Sequence, residues 1–224
     1  MAFYQPAPTC QIPELSRHYE ALFGKKADGI FVEVGAYDGE TCSNTSCLAD
    51  LGWKGVYIEP VPAFARVCAA RHRNNPGVQV LNCAIGEEPG VVDVFVGGVL
   101  STTSQRQVEL YSRIDWAKGF HRGERTQARQ VRLDAVLDEQ KILPGFDLLV
   151  VDVEGSETEV FNSFDLEGFR PEVLLVELED AHQSFQQFPE ATRASALLRA
   201  RILAGGYRQH YRDEINTIFV RDCA

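Results

Sequence analysis

Short apolar runs and amphipathic stretches take turns along this chain. Leu15, Tyr19, Leu22 and Phe23 fall at helical spacing, which predicts a helix over 13–23 stopped by Gly24. Ile30–Val34 is a β-rich run closed by Gly35. A helix is expected over 41–51, a buried strand over 55–59 ending at Pro60, a helix over 62–73 and a third strand over 78–84. The rhythm then changes. Residues 91–96 read as a short strand of antiparallel type, and 100–126 are mostly polar with no clear period beyond a helix at 104–112. Strands follow over 130–133, 146–151 and 172–178, with helices over 134–140, 156–164 and 189–204. The last two runs, 207–211 and 215–220, form a strand pair.

Strands alternating with helices predict a parallel sheet covered on both faces, and the final pair adds an antiparallel strand. Ligands of such an open sheet sit at the carboxyl ends of its strands. With 224 residues the chain is expected to be one domain, 1–224, with an N-terminal helical segment at 1–28 and a variable insertion at 97–128. Hydrophobic residues at 45% and charged residues at 24% exclude a disordered or fibrous chain. No apolar run approaches the roughly 18 residues of a membrane span. No secretory leader is recognisable at the N-terminus, so a cytoplasmic location is expected. The cysteines (Cys10, Cys42, Cys47, Cys68, Cys83 and Cys223) form no C-x-x-C pair and read as reduced thiols.

The net charge of −10 argues against a nucleic-acid backbone as partner and permits a cationic ligand. Where the acids fall sharpens this. Glu33, Glu59, Asp152 and Glu177 each stand at the end of a different strand, and together they would make an acidic crevice. The first turn, Gly35-Ala36-Tyr37-Asp38-Gly39, lacks the G-x-G-x-x-G spacing that admits a pyrophosphate. Glu59, about twenty positions later, is placed to accept hydrogen bonds from both hydroxyls of a ribose. A nucleoside with positive charge and no phosphate fits this pattern, and S-adenosylmethionine is one. A nicotinamide dehydrogenase fits the turn less well.

The strings FVEVGAYDGETCSNT, LGWKGVYIEPVP, LNCAIG, VRLDAVL, FDLLVVDVEGSETEVF and PEVLLVELE run in order from about Phe31 to Glu179. In them the sequence resembles the FkbM-type S-adenosylmethionine-dependent methyltransferases. The resemblance implies an α/β class I methyltransferase (Rossmann-like) fold, a seven-stranded sheet with the last strand antiparallel and helices on both faces. It implies cofactor contacts from Glu33, Gly35, Tyr37, Asp38 and Gly39, from Ser43, Asn44 and Thr45, from Glu59 and Pro60, from Asn82, Cys83 and Ala84, and from Asp152. Two departures stand out: Tyr37 replaces a common Asn, and Cys42 and Cys47 flank the S-N-T string.

The expected reaction is O-methylation of a hydroxyl on a sugar, glycan or secondary metabolite, the acceptor being a small molecule or glycan. N- or carboxyl-methylation is the first alternative and a non-catalytic nucleoside-binding protein the second. A hydroxyl acceptor needs a base, and Asp152 and His182 are the candidates, with His121 weaker. Asp152, Glu154 and Glu177 could also ligate a divalent metal such as Mg²⁺, which is not favoured; Glu157 reads equally well as a helix N-terminal acid. The basic stretch 113–132, with Trp116 and His121 among Arg122 and Arg125, is either an acceptor-binding lid or a solvated charged face.

Overall fold

The computed structural model describes residues 2–222, so Cys223 lies outside the described residues. Strands β1 (Ile30–Val34), β2 (Lys54–Ile58), β3 (Val78–Leu81), β4 (Ala84–Ile85), β5 (Gly90–Phe95), β6 (Arg125–Val131), β7 (Leu148–Val151), β8 (Val173–Glu177), β9 (Tyr207–Arg212) and β10 (Asn216–Arg221) form two sheets. The main sheet has seven strands in the order β3-β2-β1-β7-β8-β10-β9. The pairs β1–β2, β2–β3, β1–β7 and β7–β8 are parallel, whereas β10 runs antiparallel to both β8 and β9. This is the class I methyltransferase architecture.

Alternation along the strands sets the two faces. Val32, Val34, Val56, Ile58, Leu149, Val151, Leu174 and Val176 pack on one side against α5 (Leu133–Glu139), α6 (Glu157–Asn162), α7 (Leu166–Phe169) and α8 (Pro189–Ala204). Phe31, Tyr57, Leu148, Val150, Val173 and Leu175 pack on the other against α1 (Leu15–Phe23), α2 (Ser46–Leu51) and α3 (Pro62–Arg71). The N-terminal segment belongs to this second layer. Tyr4, Ile12, Leu15 and Tyr19 are buried in it, and the Trp53 indole donates to the Lys26 carbonyl at 2.9 Å.

Three local expectations are corrected. The helix expected over 41–51 begins only at Ser46. Asp38 accepts the amides of Glu40 and Thr41 at 2.9 and 2.7 Å and the Thr41 hydroxyl at 2.7 Å, and Cys42 takes a φ of 60°, so 38–42 is a side-chain-held turn. The strand expected over 78–84 breaks at Asn82–Cys83, and Ala84 and Ile85 pair with β6 in a second, three-stranded sheet ordered β4-β6-β5. The strand expected over 130–133 runs instead over 125–131.

β4, residues 98–103 and the Tyr111 end of α4 (Gln105–Tyr111) lie at the strand ends. Leu100, Leu110, Tyr111, Ile114 and Ala117 share a small core with Phe185, Phe188 and Ala191, which come from the connection after β8 and the start of α8. Residues 97–128 therefore form a packed cap. Among the described residues no helix is long and apolar enough to cross a membrane.

Candidate active site

The carboxyl ends of β1, β2, β7 and β8 and the inner surface of the cap enclose a cavity of about 370 Å³. That is within the range of small-molecule sites. Its acids are Glu33, Glu59, Asp152, Glu154 and Glu177, and no lysine or arginine among the described residues lines it. Gly35, Ile58, Ala84 and Ile85 supply apolar wall on one side. Tyr111, Trp116, His182 and Phe185 supply an aromatic wall on the other.

Backbone contact between two strand ends shapes the floor. Asp152 donates its amide to the Val34 carbonyl at 3.0 Å, and Gly35 follows with a φ of 96°. A Cβ at Gly35 would lie 1.6 Å from the Asp152 carbonyl oxygen, so only glycine lets the two turns meet. Glu59 is held on both oxygens, accepting the Tyr37 amide at 2.8 Å and the Val61 amide at 2.7 Å. Burial still pushes its carboxyl up to about 7. Glu33 lies deeper, accepting from the Thr45 hydroxyl, and burial raises it to about 8 with a further push from Asp152.

The sharpest electrostatic conflict is at Asp152, Glu154 and Glu177, whose carboxylate oxygens lie within 4.8 Å of one another. Burial raises all three, and for Glu154 and Glu177 the neighbouring carboxylates raise them well beyond the ordinary range. The Asp152 carboxylate opposes ionisation of Glu177 beside it. The oxygen set is one a divalent cation could use. It is equally the environment an organic cation would relieve.

The cap is tied to these acids. Tyr111 donates its hydroxyl to Glu154, Thr102 donates to the Glu154 carbonyl at 2.8 Å, and Thr103 and Ser156 share a hydrogen bond at 3.0 Å. Behind them Gln107 donates to Glu179, and the Glu157 carboxylate accepts the Gly155 amide at 3.0 Å and the Val153 amide at 3.3 Å. Glu157 thus folds the loop at the start of α6. Asp180 is neutralised by Arg212 at 2.6 Å and Arg199 at 3.0 Å, away from the cavity lining.

Of the residues the sequence nominated, Glu33, Gly35, Tyr37, Ser43, Glu59, Pro60, Ala84, Asp152, Glu154, Trp116, Glu177 and His182 line the cavity. Asp38, Gly39, Asn44, Thr45, Asn82 and Cys83 stand behind it. Asp38 folds the turn, Gly39 packs on His72, and the Asn44 carbonyl accepts from Tyr19 at 2.7 Å. Thr45 bonds Glu33 and Tyr57, Asn82 donates to the carbonyls of Glu59 and Pro60 at 2.8 and 3.0 Å, and Cys83 is in the core.

His121, Arg122 and Arg125 are not brought to the lining. His121 stacks on Tyr111 with ring centroids 5.9 Å apart, Arg122 donates to the Gly119 carbonyl at 3.2 Å, and Arg125 lies 4.6 Å over the Phe95 ring. His182 reaches the wall, but its Nδ1 accepts the Ser184 amide at 3.1 Å and its Nε2 faces Glu214 at 3.6 Å.

Tyr111, Phe185 and Gln11 are lining residues that sequence reasoning passed over. For Tyr111 a signal exists. Ser104 accepts the Gln107 amide at 3.2 Å as a helix cap, and the phase from that cap puts Gln107, Leu110 and Tyr111 on one inward face.

The sheet order and the acid-lined crevice at its strand ends define a class I methyltransferase. The chain belongs to the methyltransferase FkbM domain family, whose model matches residues 33–212. No curated protein sequence matches it. Among solved structures, a Bacillus cereus O-methyltransferase in complex with SAH is 13% identical, with a TM-score of 0.52 over 96% of this chain and 84% of that one. The Streptomyces achromogenes O-methyltransferase TomG, involved in tomaymycin synthesis and solved with SAM, is 16% identical, with a TM-score of 0.42 over 86% and 73%. Aeropyrum pernix fibrillarin, with natively bound S-adenosyl-L-methionine, is 12% identical, with a TM-score of 0.43; the match covers 86% of this chain and 66% of that one. At 13% identity the likeness to the Bacillus cereus enzyme concerns the fold alone.

Proposed function

We propose that this methyltransferase uses S-adenosylmethionine to methylate a hydroxyl on a small acceptor, a sugar, glycan or other secondary metabolite. The observation that carries the reading is the cavity itself, with five carboxylates, an apolar wall and an aromatic wall at the strand ends. S-adenosylmethionine carries an ammonium, a sulfonium, a ribose and an adenine, and the cavity has a matching surface for each. Glu59 would accept from the ribose hydroxyls with the lone pairs its two amide contacts leave free. Ile58, Pro60, Ala84 and Ile85 would flank the adenine. Gly35, Tyr37 and Ser43 would bound the amino-acid end, with Asp38, Gly39, Asn44 and Thr45 holding that wall from behind, and Asn82 and Cys83 would back the ribose and adenine side.

When bound, the cofactor supplies an electrophilic methyl group on a sulfonium. The protein's own work is alignment, exclusion of water and removal of one proton. Alignment in a near-attack geometry is the larger part of such catalysis. Asp152 is the proposed base for the acceptor hydroxyl. Its raised affinity for a proton, caused by burial, brings it toward the range where a base works at neutral pH. His182 is proposed to shape the acceptor side of the wall, because both of its ring nitrogens are engaged. The cap, 97–128, is proposed as the lid that excludes water. A cytoplasmic location belongs to the same reading, supported by five free thiols among the described residues.

Calorimetry with S-adenosylhomocysteine tests the cofactor half, with saturable one-to-one binding expected and no heat overturning it. Asp152→Asn tests the chemistry, with a turnover loss of about 10²-fold or more expected. Turnover that survives both Asp152→Asn and His182→Ala would point to a carboxylate acceptor, which needs no base.

A further inference from the structure

The acceptor end of the cavity has an unbalanced composition. Tyr111, Trp116, His182 and Phe185 surround it with ring centroids 5.3 to 6.4 Å apart in mostly edge-to-face contacts. Asp152, Glu154 and Glu177 sit at the same end, and no lysine or arginine among the described residues lines the space. The arginines of the cap do not supply the missing charge: Arg113 lies 4.7 Å over the Phe188 ring and Arg125 is over Phe95. S-adenosylmethionine carries two positive charges and one negative, so it brings a net single positive charge to five acids. Several acids are left to face whatever binds beside it. A phosphate or carboxylate on the acceptor would find no cationic partner there and would further oppose ionisation of these acids. A cation would meet both carboxylates and ring faces, the two groups that bind ammonium ions best.

We propose that the acceptor is an amino alcohol, such as an amino sugar, whose protonated amine is held by Glu154 and Glu177 against the faces of Trp116 and Phe185, beside the hydroxyl that is methylated. This rests on the methyltransferase reading above. The chemistry also separates the two groups of the acceptor. Held as an ammonium, the amine has no lone pair and takes no methyl group. The neighbouring hydroxyl, relieved of its proton by Asp152, is the nucleophile, and the amine stays protonated throughout.

The test is calorimetry on the full chain saturated with S-adenosylhomocysteine, titrated with four ligands on one ring: methyl glucosaminide, its N-acetyl derivative, methyl glucoside and methyl glucuronide. Methyl glucosaminide is expected to bind at least about tenfold more tightly than the N-acetyl derivative and the glucoside, with the glucuronide weakest. Trp116→Ala, at a side chain 47% exposed and therefore removable without opening the core, is expected to reduce the amine's affinity about three- to thirtyfold and to leave S-adenosylhomocysteine unaffected. Equal binding of amine and glucoside, preference for the glucuronide, or no binding of any of the four to the loaded protein overturns the inference and leaves the cofactor reading standing. So does Mg²⁺ that binds the loaded protein and lifts the glucoside to the amine's affinity, which would assign the three carboxylates to a metal. Absence of S-adenosylhomocysteine binding would instead remove the reading beneath it.

Discussion

The cofactor side and the acceptor side of the cavity are built in different ways. On the cofactor side the groups are fixed by backbone: Gly35 against Asp152, Glu59 clamped by two amides, Asp38 folding its own turn. On the acceptor side they are fixed by side chains reaching across long stretches of sequence, Tyr111 to Glu154 and Gln107 to Glu179. Backbone geometry has few alternatives and tolerates little change. A side-chain cage can be re-lined residue by residue. One scaffold can therefore keep a single cofactor while its acceptor varies.

Five substitutions and a titration probe that contrast. Gly35→Ala should cost the most, about 3 kcal/mol or more, because a methyl group would meet the Asp152 carbonyl in a conformation that already disfavours a side chain. A urea unfolding midpoint equal to wild type would show the two turns to be independent. Glu59→Ala should weaken S-adenosylhomocysteine by about 1–3 kcal/mol in calorimetry, from the loss of a buried acceptor. Unchanged affinity would move the ribose elsewhere.

The pH dependence follows from Glu33 and Glu59. Their carboxyls are raised to about 8 and about 7 in the folded chain, from an ordinary value of 4.5. The folded state therefore holds protons that the unfolded state has released. Their contribution is complete below pH 4.5 and is lost as pH climbs through 7 and 8, with a slope of at most about 1.4 kcal/mol per pH unit for each group. Chemical unfolding of the ligand-free protein should thus show stability declining from pH 5 to pH 8, while affinity for S-adenosylmethionine rises. A stability that climbs over that interval would contradict the assignment.

On the acceptor side the expected effects are smaller. Tyr111→Phe should cost about 1 kcal/mol of stability and raise the acceptor KM without changing cofactor affinity. A change in cofactor affinity alone would place Tyr111 on the other wall. Arg122→Ala and Arg125→Ala should each stay within about 0.5 kcal/mol and leave the acceptor KM unchanged. A severalfold rise in KM would mean that the cap closes further when loaded and brings them in.

The same contrast explains what could be read from residues alone. The alternation of elements, the antiparallel strand near the end and the acids at four strand ends are local patterns, and they were legible. The second sheet was not, because β6, Arg-Thr-Gln-Ala-Arg-Gln-Val, buries only Ala128 and carries no apolar period. The burial of Glu154 and Glu157 was also hidden. Acids after an apolar strand read as an exposed loop or as a site, and what covers them is the cap, which reaches Glu154 from Tyr111, 43 residues earlier in the chain. Arg122 and Arg125 left two readings open, an acceptor-binding lid and a solvated charged face. A basic stretch in an acidic chain invites a ligand, yet two of its members lie on a carbonyl and a ring of their own cap.

The placement of β10 bears on how the chain is completed during synthesis. The strand is translated after β9 but lies between β8 and β9, so the main sheet presents an open β8 edge until residues 216–221 have emerged. A nascent chain halted just short of them would lack an interior strand and expose two unpaired edges, the form most prone to pair with a neighbour.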